Sequence, residues 1–163
     1  MGVLFVMYAN ICCASVQGVE ALWIDVETDI SPGLPQVNVV GLPDPAVRES
    51  VERVRAAVKN CGFQFPLQRI TVNLAPADQR KEGTAFDLAI AAGILIVSGQ
   101  LDGGLLKGML VIGELALSGE VRAVPGVLPM VEQAKRRGIR RVLLPAGNAA
   151  EAALIGGMEL FAV

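Results

Sequence analysis

The chain contains no histidine. This absence removes Ser–His and Cys–His mechanisms together with most transition-metal sites. Its cysteines, Cys12, Cys13 and Cys61, form no C-x-x-C pair. We therefore expect reduced thiols in a cytosolic core, with no zinc site. Any chemistry in this chain must use lysine, carboxylate, serine or threonine side chains.

Nucleotide-binding motifs are also absent. No G-x-x-x-x-G-K-[ST] occurs, no G-x-G-x-x-G follows a predicted strand, and Gly103-Gly104 fits a plain turn. The sequence thus predicts no cofactor and no metal within these residues.

Long apolar runs are missing as well. The longest, Leu88–Val97, has about half of the roughly 20 residues that a membrane-spanning helix needs, so it predicts a buried helix. The N-terminal "MGVLFVMYANICCAS" lacks the basic segment of a signal peptide. We therefore expect a cytoplasmic protein without membrane contact.

Charge and aromatic content limit nucleic-acid binding to a local patch. The formal net charge is −2 and aromatic residues make up 4% of the chain. No global basic field attracts DNA, and base stacking is not expected. Hydrophobic residues make up 53%, which is typical of a single, tightly packed α/β domain.

The first third of the chain predicts strands followed by a helix. After an apolar, β-prone segment over residues 3–16, "ALWIDVETDI" alternates strictly, and "QVNVVGL" follows a turn. We expect these three strands to form an antiparallel meander. One face of the alternating strand carries Leu22, Ile24, Val26 and Ile30, and the other carries Asp25, Glu27 and Asp29.

The segment "PDPAVRESVERVRAAVKNCG" predicts a helix that is capped by Asp44, starts at Pro45 and ends at Gly62. Its buried stripe comprises Val47, Val51, Val54 and Val58, and the pairs Arg48–Glu52 and Glu49–Arg53 are expected on its exposed side.

The rest of the chain predicts a strand at "RITVNLAP", a helix over Ala85–Val97 and a hairpin turning at Ser118-Gly119. A helix ending at Gly138, a strand at "IRRVLLP" and a short helix capped by Asn148 follow. Because the chain finishes on the apolar strand "MELFAV", we expect a fragment of a longer protein.

Two segments are candidates for function. The turn before the apolar helix carries Lys81, Glu82, Thr84 and Asp87. These residues either complement the helix N-terminus or form a binding turn. We expect this turn to be exposed, which gives Lys81 no burial to lower its pKa.

The second segment, "KRRGIRR", is either a solvated helix end or a contact for DNA phosphates or an acidic neighbouring subunit. Its cationic residues are Lys135, Arg136, Arg137, Arg140 and Arg141.

The long run from "GLPDPAVRESVERV" to "RITVNLAPADQRKEGTAFDLAIAAGIL" resembles the N-terminal domain of magnesium-chelatase-like AAA+ ATPases of the ComM/YifB type. The segment "GELALSGEVRAVPGVLPMVEQAKRRGIRRVLLP" continues the resemblance, which extends from about Gly18 to Gly157. It implies that residues 1–163 form one Lon-protease-like domain with the ribosomal protein S5 domain 2-like fold. That fold is an α/β (α+β) mixed sheet with helices packed on it.

The resemblance also implies a degenerate catalytic site. Active Lon-type proteases resemble the turn "RKEGTAFD" but carry their nucleophilic serine where this sequence has Ala85, and their general-base lysine falls at Leu128. Alanine supplies no nucleophile and leucine no base. We therefore expect no catalytic residue of this type.

The function implied by the resemblance is that of an accessory domain in a DNA branch-migration motor of the ComM type. ATP and magnesium are then expected only in an ATPase module outside this chain, with a homo-oligomeric, hexameric ring and DNA as partners. Two alternatives stay open. One is a domain of a metal-chelatase-like chaperone ATPase, and the other is a residual peptidase that uses Thr84 and Lys81.

Overall fold

The computed structural model describes residues 8–163, in which a mixed sheet carries helices on both faces. The strands are β1 (Tyr8–Gln17), β2 (Glu20–Ser31), β3 (Gln36–Val40), β4 (Arg69–Ala75), β5 (Met109–Val111), β6 (Glu114–Leu115), β7 (Val121–Arg122), β8 (Arg141–Leu144) and β9 (Glu159–Ala162). The helices are α1 (Pro45–Asn60), α2 (Asp87–Val97), α3 (Val127–Arg136) and α4 (Ala149–Ala152), with 3₁₀ turns at Gly103–Leu106 and Ala146–Asn148.

The main sheet has seven strands in the order β3-β4-β2-β1-β5-β8-β9. Strand β2 is antiparallel to β1 and β4, whereas β4 runs parallel to β3 and the pairs β1–β5, β5–β8 and β8–β9 are parallel. The predicted α/β (α+β) mixed sheet with helices is confirmed.

The predicted three-stranded meander is wrong for its third strand. Strand β3 does not pair with β2, because β4 occupies that edge of β2 over seven residue pairs. Helix α1 connects β3 to β4 and supplies the crossover that a parallel pair requires. The part of the first predicted strand that precedes Tyr8 lies outside the described residues.

The predicted hairpin at Ser118-Gly119 is confirmed only for its short arms. Strands β6 and β7 pair with each other, whereas β5 joins the main sheet between β1 and β8. At the break between β5 and β6, the N–H of Gly113 donates to the carbonyl of Ala85 and its own carbonyl accepts from the N–H of Leu88. Gly113 thereby holds the β5–β6 corner against the start of α2.

Helix α1 has the predicted ends. The Asp44 carboxylate accepts from the N–H of Val47 at 2.8 Å, Pro45 is the first helical residue, and Gly62 has a φ of +85°. The predicted stripe is partly wrong, because Val51 is only half-buried and Ser50 is fully buried.

The exposed-side prediction for α1 is also partly wrong. Arg53 turns inward, and its contact with Glu49 is a loose 3.9 Å. No ion pair joins Arg48 to Glu52 within residues 8–163.

The two faces of the sheet are covered unequally. Helix α2 packs on one face with α1 against it, and there the thiol of Cys13 on β1 lies 3.6 Å from the carbonyl of Ala85. Helix α3 packs on the other face, and a Cβ added to Gly126 would lie 2.1 Å from a methyl of Val16. Only glycine allows so close an approach with a φ of +78°.

Helix α2 starts at Asp87 rather than at Ala85, and it is buried almost all round. Asn148 occupies the predicted N-cap position of α4, but its side chain does not cap the helix. It accepts from the N–H of Val124 at 2.9 Å and donates to the carbonyl of the same residue at 3.0 Å. Asn148 thus pairs with a neighbouring backbone segment instead of its own helix. No helix within residues 8–163 is long and apolar enough to cross a bilayer.

Candidate functional site

The turn before α2 is attached to the start of α1 through Lys81. The N–H of Lys81 donates to the carbonyl of Leu42, and its carbonyl accepts from the N–H of Asp44, both at 3.0 Å. These bonds join the loop before α1 to the turn before α2, although the two segments lie about forty positions apart in the sequence.

The side chain of Lys81 is buried, which corrects the expectation of an exposed residue. Its exposed fraction is 0%, and Nζ donates to the carbonyl oxygens of Gly41, at 2.7 Å, and Pro76. Burial lowers the pKa of Lys81, and the nearby Asp78 carboxylate partly opposes that shift. No local sequence pattern signals this burial, because the covering residues come from β3, β4 and their loops.

Glycine at position 41 makes the contact with the amine possible. A Cβ there would lie 2.3 Å from the carbonyl oxygen of Leu74, and Gly41 has a φ of +101°. Side-chain-bearing residues rarely adopt that conformation. The backbone can therefore approach β4 closely and present its carbonyl to Lys81.

The other two residues of the turn do not reach the Lys81 amine. Glu82 is exposed and lies 3.8 Å from Arg80, and Thr84 is half-buried. Phe86 occupies the N-cap position of α2, where no side chain caps the helix. Of the two interpretations of this turn, the one in which Thr84 complements the helix N-terminus therefore receives no support from a side-chain cap.

Asp87 lies in the first turn of α2, as predicted, but its role extends beyond complementing the helix. The carboxylate is fully buried and accepts from Nε and Nη2 of Arg53 at 2.7 and 3.0 Å, from the Ser50 hydroxyl, and from the N–H of Leu115 at 3.0 Å. The carboxylate thus connects α1, α2 and β6. It also raises the pKa of Arg53, chiefly through their hydrogen bond.

The two positions of the predicted degenerate site lie at the starts of two different helices. Ala85, just before α2, is 6% exposed, and its carbonyl accepts from the N–H of Gly113 at 3.1 Å. Leu128 is half-buried in the first turn of α3. Their methyl and isobutyl side chains carry neither a hydroxyl nor an amine.

Two buried hydroxyls on the sheet were not singled out from the sequence. Ser15 on β1 and Thr28 on β2 have no hydrogen-bond partner for their hydroxyl groups in the described part of the chain. Thr28 faces α2 at Gly93, where an added Cβ would lie 2.5 Å from Oγ1. An alternating strand pattern predicts which face a threonine occupies but not whether its hydroxyl finds a partner.

The five cations of "KRRGIRR" are distributed around the end of α3 and the start of β8. Lys135 donates to the carbonyl of Gly156 at 2.7 Å, and Arg136 pairs with Glu132 at 2.7 Å. Arg137 lies over the Trp23 ring, 4.8 Å from its centre, and Arg141 donates to the carbonyl of Lys107 at 2.6 Å.

Arg140 is near Lys135. A Cβ added to Gly157 would lie 3.8 Å from Lys135 Nζ and 3.9 Å from Arg140 Nη1, so both cations approach the same turn. Arg141 is half-buried, whereas the other four residues are exposed. We name Lys135, Arg136, Arg137 and Arg140 the basic cluster.

The cysteines are free, as predicted, but they are not all in the core. Cys13 is fully buried, Cys12 is half-buried and Cys61 is exposed after α1. Burial raises the pKa of Cys13 to about 12. Among residues 8–163, no group of three or more cysteine, aspartate and glutamate side chains is arranged to hold a metal ion.

Comparison with known families gives a match across most of the chain. The family model described as "Subunit ChlI of Mg-chelatase" matches residues 26–148. The chain belongs to this family. The matched segment of this ChlI-family chain contains Lys81, Asp87, both positions of the degenerate site and the whole basic cluster.

Three individual relatives of the ChlI-family chain illustrate the similarity. It is 46% identical over 138 residues to the uncharacterized protein YifB of Salmonella typhimurium, covering 85% of this chain and 27% of the relative. It is 44% identical over 144 residues to competence protein ComM of Haemophilus influenzae, covering 88% and 28%. It is 34% identical over 102 residues to DNA repair protein RadA of Escherichia coli, covering 63% and 21%.

The predicted relation to ComM and YifB is confirmed. The chain spans less than a third of the length of these two relatives.

Proposed function

We propose that this chain is the non-proteolytic, Lon-like domain of a larger, cytoplasmic AAA+ ATPase that drives branch migration of DNA. The observation that carries the proposal is the 44% identity to competence protein ComM across 88% of the chain. The weaker similarity to DNA repair protein RadA points to the same area of DNA processing. On this proposal ATP and magnesium bind in a part of the protein outside these residues.

The side chains at the degenerate site support a non-catalytic role. A Ser–Lys dyad needs a hydroxyl that attacks and a neutral amine that accepts its proton. The side chains of Ala85 and Leu128 can do neither, and loss of such a group usually costs several orders of magnitude in rate. The domain would then act in ring assembly, in positioning DNA, or in both.

The test uses the protein encoded by the complete gene. We expect a Walker-type G-x-x-x-x-G-K-[ST] motif in its sequence, ATP hydrolysis that branched DNA stimulates, and rings of about six subunits by mass photometry. Replacement of the motif lysine by alanine is the control and should abolish hydrolysis. A complete protein without that motif, or with hydrolysis insensitive to DNA, would contradict the proposal.

A metal-chelatase-like chaperone ATPase is the second candidate, because the matching family is described as a subunit of Mg-chelatase. That function predicts ATP hydrolysis that responds to a porphyrin-chelatase partner and not to branched DNA. Measuring the ATP hydrolysis rate of the complete protein with branched DNA and, separately, with a porphyrin-chelatase partner distinguishes the two proposed functions.

The contacts of Lys81 argue against the residual peptidase. Its amine donates to two backbone carbonyls, and no hydrogen bond joins it to Thr84 within residues 8–163. A peptidase that used these residues would lose hydrolysis of an unstructured peptide in Thr84→Ala. We expect no hydrolysis above background in the unmodified chain or in that variant.

A further inference from the structure

Within residues 8–163, no helix covers one face of the sheet beside α3. The outward side chains of β1 to β4 there are those of Tyr8, Asn10, Asp25, Glu27, Asp29, Gln36, Asn38, Val40, Arg69, Thr71 and Asn73. We name this set the open sheet face. Hydrogen bonds to Glu27 from the hydroxyl of Tyr8, at 2.9 Å, and the amide of Asn73, at 2.8 Å, show that three strands present these groups together.

Three carboxylates form a line on this face. Asp25, Glu27 and Asp29 alternate along β2, so neighbouring members are about 6.7 Å apart. In the described part of the chain, none of them lies within 4 Å of a cationic side chain. Arg69 on β4 shares this face beyond the Asp29 end of the line, without an ion pair to any of the three carboxylates. The middle of the line therefore carries negative charge.

The basic cluster borders this line on the same side of the sheet. Arg137 covers Trp23, which precedes Asp25 by two positions on β2 and so shares its face. Cys12 pairs with Asp25 across β1 and β2. Burial and the negative charge of Asp25 raise the pKa of the Cys12 thiol, and the positive charge of Arg137 lowers it, so both charges lie near this thiol. The negative line and the positive cluster are thus adjacent halves of one surface.

We propose that the open sheet face and the basic cluster together form a self-complementary surface that binds a second copy of this chain about a two-fold axis. Adjacent patches of opposite charge on one side satisfy the requirement of a two-fold interface, in which each patch meets its complement on the partner. The acidic line of each copy then faces the basic cluster of the other. This inference goes beyond the proposed function, because a two-fold contact closes at two copies and is therefore separate from the contacts that would build a six-subunit ring.

The charge distribution favours a second copy over DNA. A duplex carries a phosphate about every 1.7 Å. Phosphates laid across this surface would meet the line of carboxylates as well as the cations. A partner of mixed charge meets both halves favourably, and the chain itself is such a partner.

The exposed residues Asp29 and Arg136 allow a charge-swap test. We would measure the mass of the unmodified chain, of Asp29→Lys and of Arg136→Glu by sedimentation equilibrium at low and high salt, without ATP or DNA. The unmodified chain should form dimers that weaken with salt. Each single variant should raise Kd by about tenfold, because like charges then face each other. Glu52→Lys, on the exposed side of α1 behind the opposite face, is the matched control and should dimerise normally.

An equimolar mixture of the two single variants decides the geometry. In a two-fold pair the lysine introduced at position 29 meets the glutamate introduced at position 136, and the other contact set is native. Dimers should therefore return in the mixture. Species larger than dimers would contradict the two-fold arrangement.

Two other results would overturn the proposal. One is that the chain stays monomeric at a concentration of several hundred micromolar, whether or not it binds duplex DNA through Arg136. The other is dimerisation that both variants leave unchanged. Neither result bears on ATP hydrolysis by the complete protein, so failure here is distinguishable from failure of the proposed motor function.

Discussion

The carboxylate of Asp87 and the guanidinium of Arg53 form a two-point ion pair that joins α2 to α1, with distances of 2.7 and 3.0 Å. The same carboxylate accepts from the N–H of Leu115, which attaches β6 to both helices. The start of α2, which Ala85 precedes, is thus fixed by a buried polar network.

Removal of this carboxylate should destabilise the fold strongly. Asp87→Ala leaves the cation of Arg53 and the N–H of Leu115 without a partner, and we expect a loss of about 3–5 kcal/mol in the free energy of unfolding. Urea denaturation measures it. The control Glu49→Ala removes only the loose 3.9 Å contact of Arg53 and should cost less than about 0.5 kcal/mol. Equal losses in the two variants would contradict a structural role for the buried pair.

Lys81 should give the stability a characteristic pH dependence. Its folded-state pKa is lowered from 10.5, so between that lowered pKa and 10.5 the unfolded chain binds more protons than the folded one. Stability relative to Lys81→Met should therefore rise as the pH increases through this window. Comparing both proteins by urea denaturation at pH 7 to 10 cancels the cysteine and tyrosine contributions. A relative stability that falls with pH would be inconsistent with a desolvated amine.

The thiols should react in order of exposure. Cys61 is exposed, whereas Cys13 is buried with a pKa of about 12 and Cys12 is half-buried with a raised pKa. An aromatic disulfide reagent should modify Cys61 first and Cys13 only after unfolding. Cys61→Ser should eliminate the fast phase. Rapid modification of Cys13 in the folded protein would show that α2 does not cover β1 as described.

Close contact between α2 and β2 should make Gly93 intolerant of substitution. In Gly93→Ala the new methyl would lie 2.5 Å from the hydroxyl oxygen of Thr28, and we expect a loss of about 1–3 kcal/mol despite the better helix propensity of alanine. The double variant with Thr28→Ala should recover part of that loss.

The control for this contact is Gly156→Ala, at a position with open space around it, which should change stability by less than about 0.5 kcal/mol. A coupling energy near zero between positions 93 and 28 would contradict the contact.

Local sequence signals predicted the elements better than their pairing. The cap at Asp44, the proline at position 45 and the glycine at position 62 specify α1 from residues that are near one another in sequence. Strand β3 pairs with β4 instead of β2 because of a crossover that no local pattern encodes. The burial of Lys81 and the inward turn of Arg53 arise from contacts across some forty positions, which periodicity does not report. The resemblance identified Ala85 and Leu128 as the degenerate positions, and that assignment stays a prediction.

The central claim is that this domain belongs to a DNA motor and performs no proteolysis itself. The most direct test is the rate of ATP-dependent branch migration of a synthetic four-way DNA junction by the protein encoded by the complete gene. We expect migration that requires ATP and is unchanged in the Thr84→Ala variant. A complete protein that folds and assembles but moves no junction with ATP would contradict it.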